Sequence, residues 1–131
     1  MAGAWTVKRY VLTYTLFLLA VGVALGAFGA HALKHQLSAT ALQNWHTAVN
    51  YQFWHGLGAG LLWLIASQRP AFERFYLSAL LLLIGTTLFS GSLYLHSLSG
   101  WKPLVYLTPI GGSLMLVGWF WAAYWAWRAR D

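Results

Sequence analysis

The sequence predicts an all-α integral membrane protein, a single bundle of four transmembrane helices over 1–131 with both termini on the cytoplasmic side. Three observations carry this. The 131 residues are 60% hydrophobic and 8% charged, against about 25% charged in an average soluble chain. Apolar runs long enough to cross a hydrocarbon core as helices, about 20 residues each, recur four times. The basic residues are divided unevenly between the loops that such runs leave.

The first run, Tyr10 to Leu33, follows Lys8 and Arg9. The same order describes a secretory signal peptide with Ala30-His31-Ala32 as a cleavage site, but a signal core is only about 7–15 apolar residues, so the run is expected to be the first span, about 10–33. Gly22 and Gly26 form a GxxxG on one face, and Ala20, Ala24, Ala27 and His31 line another; both permit close helix approach. Lys34 to Asn44 is polar and is expected to form a short interfacial piece, with Ser38 or Thr40 capping a helix start. The second span, about 45–67, carries a second GxxxG at Gly56 and Gly60 and ends at Arg69-Pro70.

Leu80-Leu81-Leu82-Leu83-Ile84 opens the third span, about 75–97, with apolar side chains on every side. Its second half puts Gly85, Phe89, Ser92 and His96 on one face. Ser99-Gly100-Trp101-Lys102-Pro103 is a turn. The fourth span, about 104–127, is expected to kink at Thr108-Pro109-Ile110-Gly111-Gly112-Ser113, where proline and two glycines free backbone carbonyls. Tyr10, Trp101, Trp125 and Trp127 fit aromatic belts at the interfaces.

Four spans place the N-terminus, the loop between the second and third spans and the C-terminus on one side. Those segments hold Lys8, Arg9, Arg69, Arg74, Arg128 and Arg130; the other side holds Lys34 and Lys102. The excess predicts that the first side is cytoplasmic. The net charge of +6 thus reads as topology and attraction to anionic lipid headgroups rather than nucleic-acid binding. At an offset of about 65 residues Arg9 aligns with Arg74 and His31 with His96, but the identities barely exceed what a leucine-rich composition gives.

The segment Val49 to Gly60 carries polar side chains into an apolar span. Helical spacing places Tyr51, Gln52 and His55 on one face, expected to point at protein. All five histidines fall on the outer side or in the outer half of the bundle. His31, His55 and His96, with Asn50, Tyr51, Gln52 and Thr108, are the candidate ligand-binding residues. Imidazoles so placed fit a quinone, a lipid headgroup, haem or a metal, or act as packing glue through hydrogen bonds. With no cysteine, thiolate catalysis and Cys-based metal sites have no ligands, and Met1 and Met115 as the only methionines argue against a soft Cu(I) thioether site. Glu73 and Asp131 are the only acids, and neither lies within a span. Carboxylate proton relays, paired-carboxylate hydrolysis and a Ser-His-Asp triad therefore lack candidates. No enzyme activity and no cofactor are expected.

With these motifs assembled, the chain resembles a family of small multi-pass membrane proteins, domain of unknown function 423, found in bacterial inner membranes and related to a mitochondrial transmembrane protein. The resemblance covers nearly the whole chain. It rests on Gly26-Ala-Phe-Gly-Ala-His-Ala-Leu33, Trp45-His-Thr-Ala-Val-Asn-Tyr-Gln-Phe-Trp-His55, Leu88-Phe-Ser-Gly-Ser-Leu-Tyr94, Thr108-Pro-Ile-Gly-Gly112 and Gly118-Trp119. It implies a bacterial inner-membrane protein without an assigned reaction and supplies no catalytic residue. The functional expectation is a non-catalytic accessory or assembly subunit of a larger membrane complex, in contact with lipids and other membrane proteins. The alternative is a small-ligand site near the outer face, which requires His31, His55 and His96 to converge.

Overall fold

A computed structural model describes residues 2–129, and all of its long elements are helices: α1 (Ala2–His31), α2 (Ala39–Gln68), α3 (Phe75–Ser99) and α4 (Leu107–Arg128), with 3-10 segments at Pro70–Phe72 and Lys102–Tyr106. Three stretches are long and apolar enough to cross a membrane, Thr6–His31, Phe75–Ser99 and Lys102–Arg128. The helix expected to be the second span, α2, has the length, but Gln43, Asn44, His46, Asn50, Gln52 and His55 lower its apolarity. Arg130 and Asp131, part of the charge reading at the C-terminus, lie outside the described residues.

Local chemistry sets the helix ends. The Ser38 hydroxyl accepts from the Ala41 N–H at 3.2 Å, so α2 starts at Ala39 and absorbs most of the polar stretch expected to be a separate interfacial piece. Arg69 is extended ahead of Pro70 and closes α2. Gly100, at φ 67°, caps α3 in the left-handed region that a side chain disfavours. The expected kink in α4 is absent. Pro109 falls in the first turn, just after the 3-10 segment gives way to α-helix, where its missing N–H forfeits no helical bond.

The helices run up and down, with α2 and α3 inside and α1 and α4 flanking them. Small residues set the seams. On the α1–α2 seam, Gly22, Gly26 and Gly29 receive Phe53, Val49 and Trp45, while Gly56 receives Leu18 and Leu19; both glycine pairs noted in the sequence thus pack helices within the chain. The α3–α4 crossing is tighter: a Cβ on Gly111 would lie 2.5 Å from the Phe89 nitrogen, and one on Gly85 2.7 Å from the Gly111 oxygen. There backbone meets backbone. The Ala20, Ala24, Ala27 and His31 face of α1 is exposed instead of packed. Lys8 pairs with Glu73 at 3.4 Å and the Arg74 guanidinium lies 3.9 Å from the Trp125 ring, so the start of α1, the α2–α3 junction and the end of α4 share one end of the bundle. Trp125 is thereby half-buried, while Tyr10, Trp101 and Trp127 are exposed as belt residues should be.

Candidate functional site

The expected single polar face of α2 divides between two environments. Successive residues are rotated by about 100°, which turns Gln52 toward α1 and α3 and leaves Tyr51 and His55 on the side of α4.

Gln52 is 4% exposed. Its amide N–H donates to the Leu18 carbonyl of α1 at 2.7 Å, and its Oε1 accepts from the Tyr94 hydroxyl of α3 at 2.6 Å. Three helices are joined through one side chain. The Trp45 indole N–H, 2% exposed, donates to the Leu25 carbonyl at 2.9 Å, and its ring meets that of Tyr94 at 4.6 Å between centroids. Leu18 and Leu25 each lie four residues before a glycine, Gly22 and Gly29. A Cβ at Gly22 would stand 3.4 Å from the Gln52 amide nitrogen, and one at Gly29 2.5 Å from the Trp45 ring. The glycines therefore give α2 donors lateral access to helix carbonyls already within their own ladder. Ser90 adds a 2.7 Å bond to the Ala48 carbonyl. Beside this network, α1 and α3 diverge around a cleft of about 160 Å³ that Tyr14, Phe17, Val21 and Gly91 line.

On the other side of α2, the His55 Nδ1 lies 2.9 Å from the Tyr51 carbonyl. A carbonyl only accepts, so Nδ1 carries a proton, and in the neutral imidazole Nε2 then holds the lone pair. The imidazole stacks on the Tyr51 ring at 5.3 Å and 21°, and Tyr51 stacks in turn on Phe89 of α3 at 4.4 Å and 25°. Trp119 of α4 approaches the imidazole at 6.2 Å. Its ring reaches into α2 because residue 58 is glycine, where a Cβ would stand 2.6 Å away. These rings, with Trp54 and Met115, line a cleft of about 320 Å³. Among the described residues, the His55 Nε2, the Tyr51 hydroxyl and the indole N–H groups of Trp54 and Trp119 have no hydrogen-bond partner.

The other candidate residues lie elsewhere. His31 is exposed at the end of α1 and Asn50 is exposed on α2. His96 donates from Nδ1 to the Trp101 carbonyl at 3.2 Å and borders a polar groove with Gln36, Ser38 and Asn44. Thr108 meets the Ser92 hydroxyl at 2.7 Å; Ser92 itself donates to the Phe89 carbonyl, which makes Thr108 the donor. The three histidines have three different surroundings, so the convergence required of them is not met. The reason is axial. His31 and His96 close the ends of their helices, whereas His55 lies mid-helix. Among the described residues no three His, Cys, Asp or Glu side chains form a metal-binding group. Sequence reasoning missed Tyr94, Trp45, Phe89 and Trp119, whose aromatic character reads as lipid or core contact until their partners are known.

A family model described as "Protein of unknown function (DUF423)" matches residues 25–112, a stretch that includes Gln52, Tyr94 and His55 but not Leu18 or Trp119. The chain is 42% identical over 109 residues to a UPF0382 membrane protein of Haemophilus influenzae, covering 83% of this chain and 86% of that one. It is 40% identical over 112 residues to the UPF0382 inner membrane protein YgdD of Escherichia coli, covering 86% and 85%, and 39% identical over 102 residues to the UPF0382 membrane protein YwdK of Bacillus subtilis, covering 78% and 81%. No solved structure matches. Apolar helices and relatives named as membrane proteins agree on a multi-pass protein of the bacterial inner membrane. The chain belongs to the DUF423 family, shared with the UPF0382 membrane proteins, and its activity is unknown.

Proposed function

We propose that this protein is a non-catalytic accessory or assembly subunit of a larger membrane complex, with four spans and both termini in the cytoplasm. The exposed face of α2 supports the fourth span. It is polar at Gln43 and Asn50, then apolar at Trp54, Leu57, Leu61 and Leu64, so the helix enters the hydrocarbon about one turn after Asn50. Its polar Gln52 is sheltered by α1 and α3, as intramembrane polar groups require. The end that gathers Lys8, Arg9, Arg69, Arg74 and Arg128 is the cytoplasmic one by the positive-inside rule.

The observation that carries the subunit reading is the outer face of α1. This helix packs mainly on α2 and leaves Ala20, Ala24 and Ala27 exposed in a row. Small residues at such spacing let a second helix come close, and close packing is what drives helix association in lipid. The interior agrees with a structural role, since Gln52, Tyr94, Ser90 and Trp45 are engaged in holding the bundle itself. The test is purification from native membranes in mild detergent, with co-purifying proteins identified by mass spectrometry, for the unaltered chain and for Ala24→Leu. A stoichiometric partner that Ala24→Leu releases is expected; a chain that emerges alone from membranes whose other complexes stay intact would refute the reading.

A further inference from the structure

We propose that the cleft between α2 and α4 binds the ring of a membrane-soluble quinol, with one quinol hydroxyl donating to the His55 Nε2. This site does not depend on the subunit reading above. Its volume, about 320 Å³, is in the range of small-ligand pockets. Its walls are the rings of Tyr51, Trp54, Phe89 and Trp119, which favour a flat aromatic guest by offset or edge contact.

The hydrogen-bonding inventory narrows the guest further. His55 offers a lone pair at Nε2 because its Nδ1 proton is committed to the Tyr51 carbonyl. Tyr51, Trp54 and Trp119 offer donors without partners among the described residues. A quinol matches both: a hydroxyl hydrogen for the imidazole, and ring oxygens able to accept from a phenol or an indole. The oxidised quinone has no hydrogen to give, so His55 discriminates in favour of the reduced form. No Lys or Arg lines the cleft, which leaves a phospholipid phosphate without a counter-charge. His55 lies little more than one turn beyond Asn50, where the exposed face of α2 becomes apolar. Trp54 and Leu116, both exposed at the rim, open the cleft toward acyl chains and give a prenyl tail its exit.

The test uses the full chain in phosphatidylcholine nanodiscs, with nitrogen-15 in its histidines and a short-tailed benzoquinol as the probe. One histidine signal, missing from His55→Phe, should shift saturably with quinol. The matching benzoquinone should bind about threefold to tenfold more weakly, the loss expected for one hydrogen bond, and tryptophan emission should show that His55→Phe binds quinol no better than quinone. A shift that grows without saturating means bilayer partition only and overturns the proposal. So does equal quinol affinity in the His55→Phe protein, or a shift produced by phosphatidylethanolamine and not by quinol. If His55→Phe fails to assemble, saturation and the quinol-to-quinone preference in the unaltered protein decide the matter.

Discussion

Two polar clusters lie within a turn of each other on α2, and they differ in what their polar atoms are doing. Around Gln52 the donors and acceptors point inward and meet partners on α1, α2 and α3. Around His55 one ring nitrogen is tied to the helix, while the second nitrogen, a phenol and two indoles, all on residues that line a cleft, have no partners among the described residues. Polar groups at membrane depth cost free energy unless satisfied. The first cluster meets that demand within the chain; the second leaves it for something outside. A substitution in the first should register as lost stability, and one in the second should leave stability nearly alone.

The largest effect is expected from Trp45→Ala. The ring is nearly inaccessible, fills the recess at Gly29 and packs on Tyr94. In water such a truncation costs about 3–5 kcal/mol. In lipid the transfer part of that cost is smaller, because acyl chains are as apolar as the core, so about 2–3 kcal/mol is expected from the cavity and the lost packing. Reversible unfolding in mixed micelles measures it, and a loss below about 1 kcal/mol would show that the Gln52 cluster does not hold α1 in place.

Gln52→Leu comes next and sharpens the comparison, because it strands the Tyr94 hydroxyl in an apolar interior. Interhelical hydrogen bonds in membranes average about 0.6 kcal/mol and reach about 1.7, and an orphaned hydroxyl adds its desolvation, so a loss of about 1–2 kcal/mol is expected. Adding Tyr94→Phe should restore part of it, since removing both partners of a buried bond is nearly neutral. A double variant weaker than Gln52→Leu by a further 1 kcal/mol or so would instead assign the loss to packing.

The two clusters also mark how far the sequence could be read. The helices α1, α3 and α4 are legible in it because apolar run length decides them, and Ser38, Pro70 and Gly100 signal ends through a side-chain cap and through backbone chemistry. The kink expected at Pro109 is absent because proline is tolerated in a first turn, and the boundary at Tyr106 has no signal in the residues before it. The polar residues of α2 were visible. Their division between α1 and α4 was not, since 100° of rotation between neighbours matters only once the flanking helices are placed. Gly22 and Gly29 read as helix contacts; that they also open the Leu18 and Leu25 carbonyls to α2 side chains depends on pairing that no spacing reveals.

The smallest expected effect is the one that separates the clusters most sharply. His55→Phe keeps an aromatic ring against Tyr51 and Trp119 and removes a hydrogen bond made only to the next turn of the same helix. That bond joins no two helices, and the carbonyl it leaves still has its place in the helical ladder. Unfolding in mixed micelles should therefore stay within about 0.5 kcal/mol of the unaltered chain. A loss as large as that of Gln52→Leu would mean that the imidazole is a structural strut and that the cleft is a packing defect around it. Near-neutral stability would instead mean that nothing in the fold requires a histidine there, and that the reason for it must be sought in what enters the cleft.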